Sequence, residues 1–190
     1  MLELGAAIKS TFESVIQIGL YPRSQIDIVV DIHQQDGGSS RVQMCHETRR
    51  ARTHIIRSIG VLQGAINATT LALIDAGIAL FDYVVAVSAG LHSTSILLDL
   101  TNTEESDLPH LTVAVMPRSG KVTLLNMESR LHVTRFEDVL KVAGQAAEVL
   151  REAMGSAVRR RSKALINAME SAGGAQVTAR TGGYGDDMDL

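Results

Sequence analysis

The stretch VLQGAINATTLALIDAG, residues 61–77, decides the architecture. Leu62, Ile66, Thr70, Leu73 and Ile74 fall on one face at helical spacing, and Asp75-Ala-Gly77 ends the run with a glycine, so residues 61–74 are predicted as a buried helix. On its carboxyl side, Tyr83–Val87, Ser95–Leu100, Leu111–Met116 and Lys121–Asn126 are short apolar runs separated by Gly90, Pro109, Pro117 and Ser119-Gly120. They read as strands, the last two as a hairpin. Beyond them Thr134-Arg-Phe-Glu137 has capping-box spacing. Phe136, Val139, Leu140, Ala143, Ala147, Leu150, Met154 and Val158 then continue the stripe of a long helix, with Arg159 to Arg161 late in it, where the helix dipole favours cations. From Ala172 the composition turns to Gly, Ala and Thr with an acidic end, and residues 171–190 are expected to be a disordered tail.

On the amino side, Ile8, Phe12, Val15 and Ile16 give a helical stripe within Leu4–Leu20, which Pro22 stops. Gln25–Ile32 alternates, with Ile26, Ile28, Val30 and Ile32 against Asp27 and Asp31, and predicts a strand with one wet face that ends at Gly37 and Gly38. The order helix, strand, helix, strands, long helix predicts an α+β domain. At 190 residues with 45% apolar content and a mean hydropathy of +0.12, the chain suffices for one core. A net charge of −3 offers no global attraction to nucleic acid, so an RNA contact must use a local basic patch. A single cysteine, Cys45, excludes an internal disulfide. Neither a membrane-length apolar run nor a secretory leader is found, and a soluble protein of a reducing compartment is expected.

Four stretches, Tyr21-Pro-Arg-Ser-Gln-Ile-Asp-Ile28, Gln35-Asp-Gly-Gly38, Ala65 through Ile78 and Leu98-Asp-Leu100, stand in the order found in the RNase PH family. Residues 3–38 and 61–170 together resemble that family, most closely the eukaryotic RNA exosome core ring subunits related to the archaeal phosphorolytic subunit. The resemblance implies an RNase-PH-like fold (ribosomal protein S5 domain 2-like), a two-layer sheet and helices over residues 1–170. It also implies that this fold is incomplete at the amino end, because relatives carry opening strands before the first helix seen here. Between Gly38 and Val61 stand 22 residues with no counterpart, Ser39–Gly60. Five arginines against Glu47 give this segment +4 and leave −7 for the rest of a chain whose total is −3. It is either a basic RNA-binding loop or a short retained intron translated in frame, and the sharp boundaries favour the intron.

Phosphorolytic relatives cut RNA from its 3′ end with orthophosphate, which requires cations on the phosphate and acids on a divalent metal. The family's Thr-Arg after the glycine turn, whose guanidinium grips phosphate, falls on Val61 and Leu62 once residues 39–60 are set aside. These are degenerate phosphate-site positions. Ser39-Ser-Arg41 imitates the motif in sequence only. Of the two family aspartates spaced six apart, Asp99 matches the first, while Glu105 stands at the second; the pair is a possible vestigial metal site. Glu104 and Asp107 are the other acids nearby, and a solvated acidic loop is the alternative. Three further groupings are weaker. Cys45, His46 and His54 fall short of a four-ligand zinc site, Ser88, His92 and Asp99 lack a nucleophile elbow, and Arg159-Arg-Arg161 suits a helix end as well as an RNA patch. Arg23, in the Pro-Arg-Ser turn, is a possible RNA-binding residue.

The resemblance thus implies a catalytically degenerate subunit with no catalytic residue, metal or cofactor. Its expected partners are other RNase-PH-type subunits in a hetero-hexameric ring, cap subunits, a hydrolytic nuclease and single-stranded RNA, in nucleus, nucleolus and cytoplasm. An active phosphate-dependent 3′–5′ exoribonuclease is the alternative.

Overall fold

A computed structural model of the chain describes residues 2–32, 42–43, 59–127 and 130–181. Two compact units divide the chain, Met1–Glu152 and Ala153–Leu190. In the first, helix α1 (Leu2–Glu13) is followed by a tight turn of 3-10 helix (Ile18–Leu20), strands β1 (Asp31–Ile32) and β2 (Val42–Gln43), and helix α2 (Ile59–Asp75). Strands β3 (Val85–His92) and β4 (Ser95–Leu98), helix α3 (Asn102–Asp107), and strands β5 (His110–Met116) and β6 (Lys121–Met127) complete the sheet, and α4 (Val133–Thr181) closes the chain.

The sheet is antiparallel in the order β4-β3-β5-β6. Registers such as Val87↔Val113 and Val113↔Leu125 set even-numbered β3 residues against α1 and α2. There Val84, Ala86, Ala114 and Met116 join Phe12, Ile16, Leu62, Ile66 and Leu73 in the main core. Odd-numbered Val85, Val87 and Ala89 are equally buried on the opposite face, as are Val139, Ala143 and Ala147 of α4. The α+β class therefore holds, and α4 adds a helical cover to the two-layer arrangement expected.

Several local expectations change. Helix α1 ends at Glu13 instead of reaching Leu20, because Val15–Gln17 turns its backbone to residues 79–81. Gln17 N–H donates to Ala79 O (3.0 Å) and Phe81 N–H to Val15 O (2.9 Å). Tertiary hydrogen bonds here outweigh helical periodicity. Residues 25–30 keep the expected alternation, with Ile26, Ile28 and Val30 packed against the core, yet only Asp31–Ile32 pairs as strand, against Val42–Gln43. Alternation reports which face is buried; a strand also needs a hydrogen-bonded neighbour.

Gly90 is mid-strand instead of a break, paired with Leu97 and His110. A β-carbon there would lie 2.7 Å from Cδ1 of Leu100, so the glycine lets Leu100 close over the strand. The capping box expected at Thr134 does not form. Helix α4 starts one residue earlier, and the His132 carbonyl accepts from Arg135 and Phe136 N–H while His132 Nδ1 meets Thr134 Oγ1 at 2.9 Å. The backbone of α4 runs to Thr181, past the tail boundary expected at residue 171, since extending a nucleated helix costs far less than starting one. In the second unit Arg159, Arg160 and Arg161 are exposed, as are Leu165, Ile166 and Met169.

Candidate functional site: the α2–β3 seam and the Asp99 loop

In the first turn of α2, Val61 and Leu62 point inward. Val61 and Leu62 are 0% and 2% exposed, Leu62 within the main core. Neither carries a polar atom, so neither position offers phosphate a side-chain donor.

One turn on, the same helix changes character. Gln63, Asn67 and Thr70 are spaced four and three residues apart, hence on one stripe, and they meet the side of β3 that β4 is too short to pair. Ser88 N–H donates to Gln63 Oε1 (2.8 Å) and the Ser88 hydroxyl to the same oxygen (2.5 Å). Asn67 bonds Ala86 twice, accepting from its N–H at 2.8 Å and donating to its carbonyl at 2.9 Å. Thr70 donates its hydroxyl to the Val84 carbonyl (2.8 Å). Helix side chains thus complete a strand edge that would otherwise bury unpaired backbone groups. Sequence reading assigned Thr70 to the apolar face and passed over this stripe, although polar residues at helical spacing inside an apolar helix were the available signal.

Ser88 continues into the acidic loop, its carbonyl accepting from Asp99 N–H at 3.2 Å. Asp99 is exposed, with φ +61°, a left-handed conformation that aspartate tolerates better than most residues. Behind it Thr101 caps α3, in what had been read as a loop. Glu104 N–H donates to Thr101 Oγ1, and Glu104 Oε2 accepts from Thr101 N–H (2.9 Å), a complete capping box. The Thr101 backbone hydrogen bond, joined by the Thr101 hydroxyl, holds the Glu104 carboxyl below its ordinary value. Glu104 is therefore occupied in starting the helix. Glu105, half-buried, and Asp107, exposed, follow on α3. No group of three or more His, Cys, Asp or Glu converges as a metal site among the described residues.

The remaining candidates lie apart. Ser88 is buried in its contact with Gln63, and His92 is four residues along the same strand, roughly 13 Å away, so the two share no reaction centre. Arg23 is exposed with φ +66° in a turn closed by Ser24 N–H to Tyr21 O (3.3 Å). A type II turn asks for glycine at that place, so Arg23 is held there at a cost of about 1–2 kcal/mol. The Tyr21 hydroxyl, accepting from Ala79 N–H at 2.9 Å, fastens the turn. Ser39, Ser40 and Arg41, the thiol and imidazoles of Cys45, His46 and His54, and the Gln35–Gly38 turn lie outside the described residues.

Comparison with known proteins gives one consistent picture. Domain 1 of the 3′ exoribonuclease family (RNase_PH) matches residues 1–79 and domain 2 (RNase_PH_C) matches residues 82–146. The exosome complex component ski6 of Schizosaccharomyces pombe is 39% identical over 157 residues, which cover 83% of this chain and 56% of that protein. The exosome complex component RRP41 of Mus musculus is 39% identical over 158 residues, again 83% and 56%. The chain thus spans little more than half the length of these relatives. In the crystal structure of rice Rrp46, 82% of this chain superposes on 64% of that one with a TM-score of 0.62 at 19% identity, a likeness of fold.

Proposed function

This chain belongs to the 3′ exoribonuclease family of RNase PH, and from that premise we propose that it serves as a non-catalytic ring subunit of an RNA exosome. The observation that carries the reading is the burial of Val61 and Leu62, the pair on which the Thr-Arg of phosphorolytic relatives falls once residues 39–60 are set aside. Relatives named exosome complex components support the assembly. In this role the protein takes one place in a hetero-hexameric ring of RNase-PH-type subunits, with cap subunits and a hydrolytic nuclease, and helps line a channel for single-stranded RNA in nucleus, nucleolus and cytoplasm. Asp99 and Glu105 are then the remnant of a metal site, and Arg23 is available to RNA phosphates.

Residues 1–170 make the family domain in this reading, residues 39–60 are an insertion foreign to it, and residues 171–190 are a tail into which the α4 backbone continues as far as Thr181. Comparing transcript and genomic sequence across the codons for Gly38 and Val61 tests the insertion, since a spliced message joining those codons marks it as intron.

The second reading, an active phosphate-dependent 3′–5′ exoribonuclease, draws on the family's activity and on Asp99 at a metal-binding position. Shortening of an RNA oligonucleotide, followed with and without orthophosphate, separates the two. The scaffold reading expects no phosphate-dependent shortening; shortening that Asp99→Asn abolishes overturns it.

A further inference from the structure

Among the described residues, Phe81 is the only exposed Phe or Tyr side chain, 65% accessible, on a backbone that is firmly held. Its N–H is bonded to Val15 O, and its neighbour Asp82 uses both carboxylate oxygens on backbone donors, Oδ1 on Tyr83 N–H (2.8 Å) and Oδ2 on Arg118 N–H (3.1 Å). Asp82 thereby fixes the β5–β6 turn beside Phe81 across 36 residues of sequence. The turn itself is tight, with Gly120 at φ +67° and its N–H on Met116 O. Phe81, Arg118, Ser119 and Lys121 line one cleft of about 500 Å³. Arg118 and Lys121 are exposed, and neither forms an ion pair among the described residues.

We propose that this cleft is a single-stranded RNA subsite, in which a base stacks on Phe81 and the adjoining phosphates lie against Arg118 and Lys121. An aromatic face accepts any base, and two cations flanking it match the charge of the backbone that a stacked nucleotide carries with it. Asp82 also lines the cleft and keeps its charge while accepting the two backbone hydrogen bonds, so Arg118 and Lys121 leave the lining at a net +1, and the rigid frame lowers the ordering cost of binding. The inference rests on the RNA-handling reading above and gives it a location that the family's phosphate and metal positions do not supply.

The test is fluorescence anisotropy of the full chain with a labelled oligouridylate of about ten nucleotides. Phe81→Ala is expected to weaken binding about tenfold or more, Phe81→Leu to behave like it, and Phe81→Trp to bind at least as well as the parent. Arg118→Ala with Lys121→Ala should reduce the slope of log affinity against log salt by about 1.4, roughly 0.7 for each cation lost. Thermal melts followed by circular dichroism check that these surface variants remain folded. Absence of binding by the parent, parent-like affinity in Phe81→Leu (the mark of an apolar surface for a protein), or an unchanged salt slope in the double variant overturns the subsite. Those outcomes leave the scaffold reading standing, whereas phosphate-dependent RNA shortening sinks that reading without touching this one.

Discussion

The two flanks of the sheet meet the same physical problem in opposite ways. On the β3 flank, where β4 is too short to pair residues 84–88, α2 supplies Gln63, Asn67 and Thr70, and the backbone of Val84, Ala86 and Ser88 is satisfied within the chain. On the other flank β6 is the outermost strand among the described residues, and Val122, Leu125 and Met127 remain 50%, 45% and 42% exposed. An open edge with apolar side chains is a template for another chain. The seam is finished internally, while the outer edge suits an assembly surface.

The sharpest way to press this contrast is at Leu62. Leu62→Arg restores the family's cation in sequence but places an unpaired charge where exposure is 2%. We expect a loss of more than about 4 kcal/mol and no gain of activity, read by urea denaturation. Next comes Asn67→Leu, which strips Ala86 of two hydrogen bonds in the seam. A loss of about 2–4 kcal/mol is expected, seen as a lower denaturation midpoint at unchanged slope. If the midpoint does not move, the seam is not what completes β3.

Smaller effects sharpen the comparison elsewhere. Thr101→Ala removes the α3 cap and should cost about 1 kcal/mol. Because the folded Glu104 pKa is depressed, its contribution is present at neutral pH and is lost as pH falls below the ordinary carboxylate range, through the folded pKa. Thermal melts of the parent and of Glu104→Gln, which cannot titrate there, should therefore converge in acid; a constant gap from neutral pH to acid contradicts that account. Least costly to the monomer is Leu125→Lys on the open edge, within about 0.5 kcal/mol of the parent. Yet it should prevent co-purification with other ring subunits, and unimpaired co-purification would remove β6 from the assembly surface.

How far these features could be read in advance follows from their causes. Helix α2 and the β5–β6 hairpin were legible because local periodicity and a Pro-x-Ser-Gly turn encode them directly. The end of α1 was not, since its stop at Glu13 depends on residues 79–81, more than sixty positions away. The capping motif was assigned to Thr134 when an equal spacing, Thr101 to Glu104, performs the capping; the rule names candidates without ranking them. At the candidate site, Val61 and Leu62 were named from the family's spacing, and the helical stripe already put Leu62 on the buried face, whereas the full burial of Val61, off that stripe, needed the three-dimensional arrangement. The Gln63–Asn67–Thr70 stripe was visible in the sequence and gained meaning only once β3 was known to lie beside it.

The most direct test of the central claim, that apolar side chains occupy the place where phosphate must be gripped, is transfer of radiolabelled orthophosphate into nucleoside diphosphate by the purified chain given RNA. The account predicts no label in the diphosphate pool, with Asp99→Asn indistinguishable from the parent. Label appearing at a rate proportional to protein concentration, and lost in Asp99→Asn, would contradict it.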